Sequence, residues 1–301
     1  MSAMVSPGLS LWSQTFQNSG VLTASKFIRK MKGGGQSLLV QTDEHQFVVV
    51  KMVGNPQGPN VLANEVLGGA ISSAAGIPVP QGRLIYISED FIDQNPGAWF
   101  ETPKGRVRPE PGLHFGSLFV GEIQGWNRPT EYISRSRVQS IQNRQLFLGM
   151  YIIDVWANHQ DNRQALLVPS SVSRELEVRF IDHGHMFAGP HWIFSKRLGL
   201  APHLERSVYS DLWEPFEIAR WISHLENVLP NALSLGVSLI PRWWYNGNVD
   251  LLHTQLLRRL SNLAELVEND RLEAPQEVRR STTNDTLQLP HLGVHMFGAP
   301  A

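Results

Sequence analysis

Two apolar segments of this chain run straight into aspartates, and that narrows the folds open to it more than any other feature. Met150 to Ala157 is apolar apart from Asp154, and a short polar turn holding Asp161, Asn162 and Arg163 follows it. Ala165 to Val168 is apolar again. Val178 to Ile181, broken only by Arg179, then stops at Asp182, with Gly184 two residues on. The last of these, a short run bounded by turn residues, reads as a buried strand. Each aspartate therefore stands where a buried element ends. Alone, such a residue is usually a cap or a turn former. Together they suit a site in which one carboxylate orients a hydroxyl and the other holds a divalent metal against phosphates.

The upstream sequence supplies what such a site needs. His45 to Lys51 is rich in β-branched residues and reads as a strand ending in a lysine. Asn60 to Ala75 carries Val61, Leu62, Val66, Ala70 and Ala74 near helical spacing, with Leu67 and Ile71 beside them, and Glu65 lies within it. A strand lysine held by a helix glutamate can grip the α- and β-phosphates of a nucleotide. Gly33, Gly34 and Gly35 lie between two strand-like runs, where glycine lets a backbone approach phosphates and offers N–H donors.

Taken in order, these blocks resemble the HipA-like kinase family. They are Gly33 to Gly35, Val48 to Lys51, Leu62 to Glu65, Ala75 to Pro80, Gly112 to Gly116, Asp154 to Asn158, Asp161 to Arg163 and Phe180 to His185. The resemblance implies an α+β bilobal protein-kinase-like fold, with a small antiparallel-sheet N-lobe carrying one helix and a mainly helical C-lobe. It implies ATP and Mg²⁺ as cofactors and transfer to a hydroxyl, that of Ser/Thr on a protein substrate. Asp161, Lys51 and Arg163 would be catalytic. Gly33, Gly34, Gly35, Lys51 and Glu65 would bind the nucleotide. Asp182 would bind the metal. The family usually has an asparagine five residues after its catalytic aspartate as second metal ligand; here that position is Leu166, which has no oxygen to offer Mg²⁺. Asn158 and Asn162 are the candidates to replace it. The departure keeps open a pseudokinase that binds nucleotide without turnover, and a small-molecule kinase is the third reading.

Composition excludes other classes. Lys and Arg number 26 against 27 Asp and Glu, for a net charge of −1, so no basic excess argues for nucleic acid or an anionic membrane. The absence of cysteine removes disulfides, zinc–thiolate sites and thiol nucleophiles, and fits a cytoplasmic protein. No apolar run is long enough to cross a membrane. His159, His183 and His185 supply imidazoles near Asp182, but no HExxH-type spacing accompanies them, so packing beside the metal aspartate is the expected role.

The chain divides into a leader at 1–20, an N-lobe at 21–110, a helical C-lobe at 111–270 and a flexible tail at 271–301. Asn60 is expected to cap the Glu65 helix, and Gly76 with Pro78 to end it. Gly82 to Ser88 is expected as a strand carrying the adenine-facing hinge. Helices are expected over 136–155, from Pro215 to Leu229 and over 250–268. The aromatic cluster Trp243, Trp244 and Tyr245 is expected to pack between C-terminal helices.

Overall fold

A computed structural model describes residues 10–125, 128–170, 175–194 and 203–273. Its N-terminal half is a five-stranded barrel, built from β1 (Leu22–Lys30), β2 (Leu38–Thr42), β3 (Phe47–Lys51), β4 (Gly82–Ile87) and β7 (Gly112–Leu118) in the order β1-β2-β3-β7-β4. All neighbours are antiparallel except β1 and β4, which pair in parallel through Leu22–Ile85 and Thr23–Tyr86 and close the ring. The simple antiparallel sheet expected from sequence is therefore corrected to a closed barrel. Alternate residues of β3 explain its interior. Val48 and Val50 are fully buried with Leu38, Val40, Ile85 and Ile87, while Val49 and Lys51 face the other way. Gly116 makes closure possible: a Cβ there would lie 2.5 Å from Ile85 and 2.6 Å from Val48.

The strand β7 lies beyond the boundary expected at 110, yet it is hydrogen-bonded to both β3 and β4. Between β4 and β7 the chain forms α3 (Glu89–Gln94) and a hairpin of β5 (Phe100–Thr102) and β6 (Gly105–Val107).

The helix carrying Glu65, α2 (Val61–Ala74), is apolar around most of its circumference and accordingly buried along nearly its whole length. Gly69 lies under Trp12, and Gly236 lies against Leu67. Asn60 stands at its N-terminus without a side-chain capping bond; its Oδ1 instead accepts from Asn246 N at 2.7 Å. Gly76, at φ +78°, ends it as expected. The supposed leader contains α1 (Leu11–Asn18), capped by Ser10. Trp12 and Phe16 stack at 5.2 Å between centroids, both 3% exposed, and Trp12 Nε1 donates to Pro80 O at 2.8 Å.

The C-terminal half comprises α4 (Leu146–Ala157), the hairpin β8 (Gln164–Pro169) and β9 (Leu176–Ile181), α5 (Pro215–Ser238), α6 (Val249–Leu260) and α7 (Leu263–Glu273). The helix expected from 136 begins only at Leu146. Before it, Gln142 N donates to Leu176 O and the Asn143 side chain brackets the backbone of Val178, which draws the chain onto β9. The α5 helix continues through Pro230, because Leu229 and Leu233 are fully buried on either side of it. The helix expected over 250–268 is two helices. Ser261 Oγ and Asn262 Nδ2 both bond Arg258 O at the break and compete with the helical ladder. Trp244 is buried and its Nε1 donates to Leu113 O, whereas Trp243 is 65% exposed. No helix among the described residues is long and apolar enough to cross a membrane. The first residues of the tail expected at 271–301 belong to α7, which runs to Glu273; the rest lies outside the described residues.

Candidate active site

Between barrel and helical half lies a slot of about 190 Å³. Its apolar walls include Val49 from β3, Phe115 and Leu118 from β7, Phe119 just beyond, Leu166 from β8 and Ile181 from β9. Lys51, Glu65, Gln164 and Asp182, with Ser37 and Ser117, are its buried or half-buried polar groups. The segment entering the slot after a barrel strand is Phe119 and Val120, after β7. The β4 strand, expected to carry the hinge, leads into α3 and contributes no residue to the slot lining.

Lys51 is the centre of the polar end. Its Nζ lies 2.5 Å from Glu65 Oε1 and 2.7 Å from Asp182 Oδ1, so one ammonium joins the barrel, α2 and the end of β9. Burial alone would lower its pKa; the Asp182 and Glu65 carboxylates outweigh that and hold it above the ordinary lysine value. Burial alone would likewise raise Asp182, but Lys51 foremost, with Arg163, holds it well below the usual carboxylate range. The other Asp182 oxygen, Oδ2, accepts from Gln164 Nε2 at 2.8 Å. Gln164 opens β8 and pairs with Ile181, the residue before Asp182. Sequence reasoning missed it, because a glutamine opening a strand is unremarkable until the partner strand is known.

Asp182 has φ +61°, a left-handed conformation uncommon for a residue with a side chain. Arg163 braces it. Arg163 Nη1 donates to Ile181 O at 2.9 Å and to Asp182 O at 3.0 Å. The guanidinium is itself fixed by a bidentate pair to Asp154, with Nε–Oδ2 at 3.0 Å and Nη2–Oδ1 at 2.5 Å. Arg163 is only 2% exposed. It does not line the slot, and it touches the site through Asp154 and the backbone of Ile181 and Asp182. Asp154 was legible only as an ionisable residue inside an apolar helix. Burial would raise its pKa, but Arg163 and His159 hold it well below the carboxylate range.

Two histidines complete this network. His183 Nδ1 lies 3.2 Å from Arg163 Nη1; His159 Nδ1 lies 3.2 Å from Nη2 and 3.0 Å from Asp154 Oδ1. Burial, reinforced by Arg163, keeps His159 below its ordinary pKa and His183 well below it. Both are therefore neutral imidazoles at neutral pH. Asn64, next to Glu65 on α2, gathers the following segment. Its Nδ2 lies within 2.8–3.2 Å of the carbonyls of Gly184, Met186 and Gly189, and its Oδ1 accepts from Trp192 Nε1.

The remaining expected residues lie elsewhere. Asp161, half-buried in the loop before β8, accepts from Asn162 N at 2.7 Å through its Oδ1 and does not line the slot. Asn158, expected as a metal ligand, ends α4 at φ +51°, ψ +51°, a left-handed C-cap for which asparagine is among the best residues. It is 1% exposed, and neither it nor Asn162 lines the slot. The slot lining takes in Lys32 and Ser37 on either side of the glycine turn but none of Gly33, Gly34 and Gly35.

Among the groups lining the slot, the Asp182 carboxylate and the Gln164 side-chain amide adjoin each other and offer hard oxygen ligands. They fit a magnesium or manganese ion that takes its other ligands from phosphates and water. Among the described residues no group of three or more His, Asp or Glu is arranged to hold a metal by itself.

No protein-family model matches the chain, and no curated protein matches it in sequence. Among solved structures it is similar to the Helicobacter pylori proinflammatory kinase CtkA, at 11% identity and a TM-score of 0.55, over 84% of this chain and 99% of that one. It also aligns with the Golgi casein kinase, at 12% identity and a TM-score of 0.46 over 87% of this chain and 76% of that one. Against the form of that enzyme with Mn/ADP bound, the TM-score is 0.43 at 12% identity, over 87% of this chain and 78% of the other. The likeness to CtkA establishes a kinase-like fold, without singling out the HipA-like branch.

Proposed function

We propose that this chain is a phosphotransferase that binds ATP with Mg²⁺ in the interlobe slot and transfers the γ-phosphate to a hydroxyl, that of Ser/Thr on a protein. The observation that carries this is the Lys51 ammonium shared between Glu65 and Asp182 at the polar end of an apolar slot. The apolar walls, Val49 and Phe115 above Leu166 and Ile181, suit a flat purine base. Lys51, kept charged by Glu65, contacts the phosphates. Asp182 and Gln164 hold the metal, which supplies charge neutralisation along the phosphate chain. Arg163 keeps Asp182 aimed into the slot. Asp161 orients the acceptor hydroxyl and takes its proton late, a step that needs little base strength in a loose transition state. The ordered sequence blocks are the ground for assigning it to the HipA-like branch, and with it a cytoplasmic setting.

One observation favours a pseudokinase instead: Asp161 lies outside the slot lining, with Oδ1 turned to its own loop. Phosphate transfer to the protein itself and to mixed protein substrates, measured beside Asp161→Asn and Asp182→Asn with ATP binding followed by calorimetry, separates the readings. Transfer by wild type that both variants lose supports the kinase. Binding without transfer, weakened by Asp182→Asn alone, supports the pseudokinase. Absence of ATP binding under Mg²⁺ and Mn²⁺ refutes both.

A further inference from the structure

The carbonyls of the glycine turn are engaged by neighbouring protein groups. Gly33 O accepts from Gln36 N at 3.3 Å, and Gly35 O accepts from Asn55 Nδ2 at 3.0 Å. The Gln57 side chain covers the turn, so closely that a Cβ on Gly35 would lie 2.7 Å from its Oε1. On the other side, Gln36 brackets Glu101 of the β5–β6 hairpin, accepting from its N and donating to its O, both at 2.7 Å. The turn is tied between two neighbouring loops, and its glycines do not line the slot.

What lines the slot here is side chain. Arg29 and Met31 share one face of the strand leading to the turn, and Lys32 opens the turn; all three border the cavity with Val49 and Ser37. Lys30, on the opposite face, is used otherwise, donating to Trp99 O and pairing with Glu101. Arg29 and Lys32 are exposed and have no ion-pair partner among the described residues. The slot needs such charge. Lys51 faces two carboxylates, Glu65 and Asp182, so the triad carries an uncompensated negative charge towards an anionic ligand.

We propose that the phosphate chain of the nucleotide is gripped by the side chains of Arg29 and Lys32, and not by the backbone amides of the glycine turn. The guanidinium offers a planar fork that matches phosphate oxygens, and the lysine a mobile point charge. The inference rests on the nucleotide reading above, and the test separates failure of one from failure of the other.

The test is equilibrium binding of ATP and of adenosine, with Mg²⁺, at low and high salt. The proteins are wild type, Arg29→Ala, Lys32→Ala, the double variant and Gly34→Ala. A charge-assisted hydrogen bond lost from each site weakens ATP binding about tenfold per substitution, while adenosine binding stays within about twofold. The double variant also flattens the salt dependence of ATP binding. Gly34→Ala binds ATP like wild type, since Gly34 is not at positive φ and a Cβ there comes no closer than 3.4 Å to Gln57. The reverse result overturns the grip: Gly34→Ala weakening ATP tenfold while the cation variants stay within twofold. Equal loss of ATP and adenosine in the cation variants overturns it too, as a base or folding effect. If wild type binds neither ligand, the nucleotide reading itself has failed.

Discussion

The Asp154–Arg163 pair is the most direct place to separate holding the fold together from aiming the metal ligand. Both side chains are almost wholly buried, 1% and 2% exposed. Arg163→Met keeps much of the volume but leaves the Asp154 carboxylate with His159 alone. An uncompensated buried charge costs about 3–5 kcal/mol, more than half of a typical domain's stability at the low end of the usual range. The cost is smaller at pH 5.5 than at pH 8. With the guanidinium gone, His159, 3.0 Å from Asp154, loses its cationic neighbour and takes up a proton more readily. Asp154→Leu with Arg163→Met removes both charges, and a buried pair replaced by apolar residues is often neutral in stability. The fold then recovers most of the loss, but the carbonyls of Ile181 and Asp182 still lack their donor. Asp182, at φ +61°, is then held in place only by its own side-chain contacts. Urea denaturation of the wild type and both variants measures the first effect; titration with Mn²⁺ and a fluorescent ATP analogue measures the second. Stability recovered with nucleotide binding still about tenfold weaker or worse is the expected result. A double variant that binds like wild type would refute the positioning role, and a single variant costing less than about 1 kcal/mol would refute the energetic argument.

Two further outcomes follow from packing and protonation. Burial pushes His114 down to about 4 from an ordinary 6.5, and its Nδ1 accepts from Val53 N at 3.0 Å, so it is neutral in the fold. The unfolded chain therefore takes the proton first: stability is fully present above pH 6.5 and is lost as pH falls towards 4, by about 3 kcal/mol from this residue. His159 and His183 act in the same direction, and melting scans from pH 7.5 to 4.5 should show a slope that His114→Gln reduces; an unchanged slope would count against it. Gly68→Ala on α2 should destabilise by about 1–3 kcal/mol, although alanine is the better helix former, because its Cβ would lie 2.5 Å from His183 Cβ and 2.9 Å from Met186 Sδ. Denaturant midpoints decide the sign, and a gain in stability would show that the segment after Asp182 yields freely.

What could be read from the chain, and what could not, divides by range. Lys51 at the end of a β-branched run and Glu65 within an apolar helical stripe are local patterns, and the fold brings the two within 2.5 Å. Closure of the barrel is not local. It depends on a parallel pairing of β1 with β4 and on Gly116 admitting Ile85 and Val48. The β7 stretch, Gly112 to Leu118, has a glycine at each of two positions and a buried histidine, so it shows no clean alternation. The α1 helix is eight residues long, too short to form alone, and exists because Trp12 and Phe16 dock on α2 and β4.

Leu166 shows most clearly why counting along a loop does not locate the residue beside Asp182. Placing the second metal ligand five residues after Asp161 presumes a loop of fixed length before the strand. Here only Asn162 and Arg163 intervene before β8 starts, and strand pairing sets Gln164 opposite Ile181, beside Asp182. Side chains on one face of a strand recur every second residue, so Leu166 faces the slot as Gln164 does but stands about 7 Å further along it. At that distance from the polar end it forms part of the slot's apolar wall. The side-chain amide that lies against Asp182 is therefore that of Gln164, three residues after Asp161, a neighbour that strand pairing reveals and counting along the loop does not.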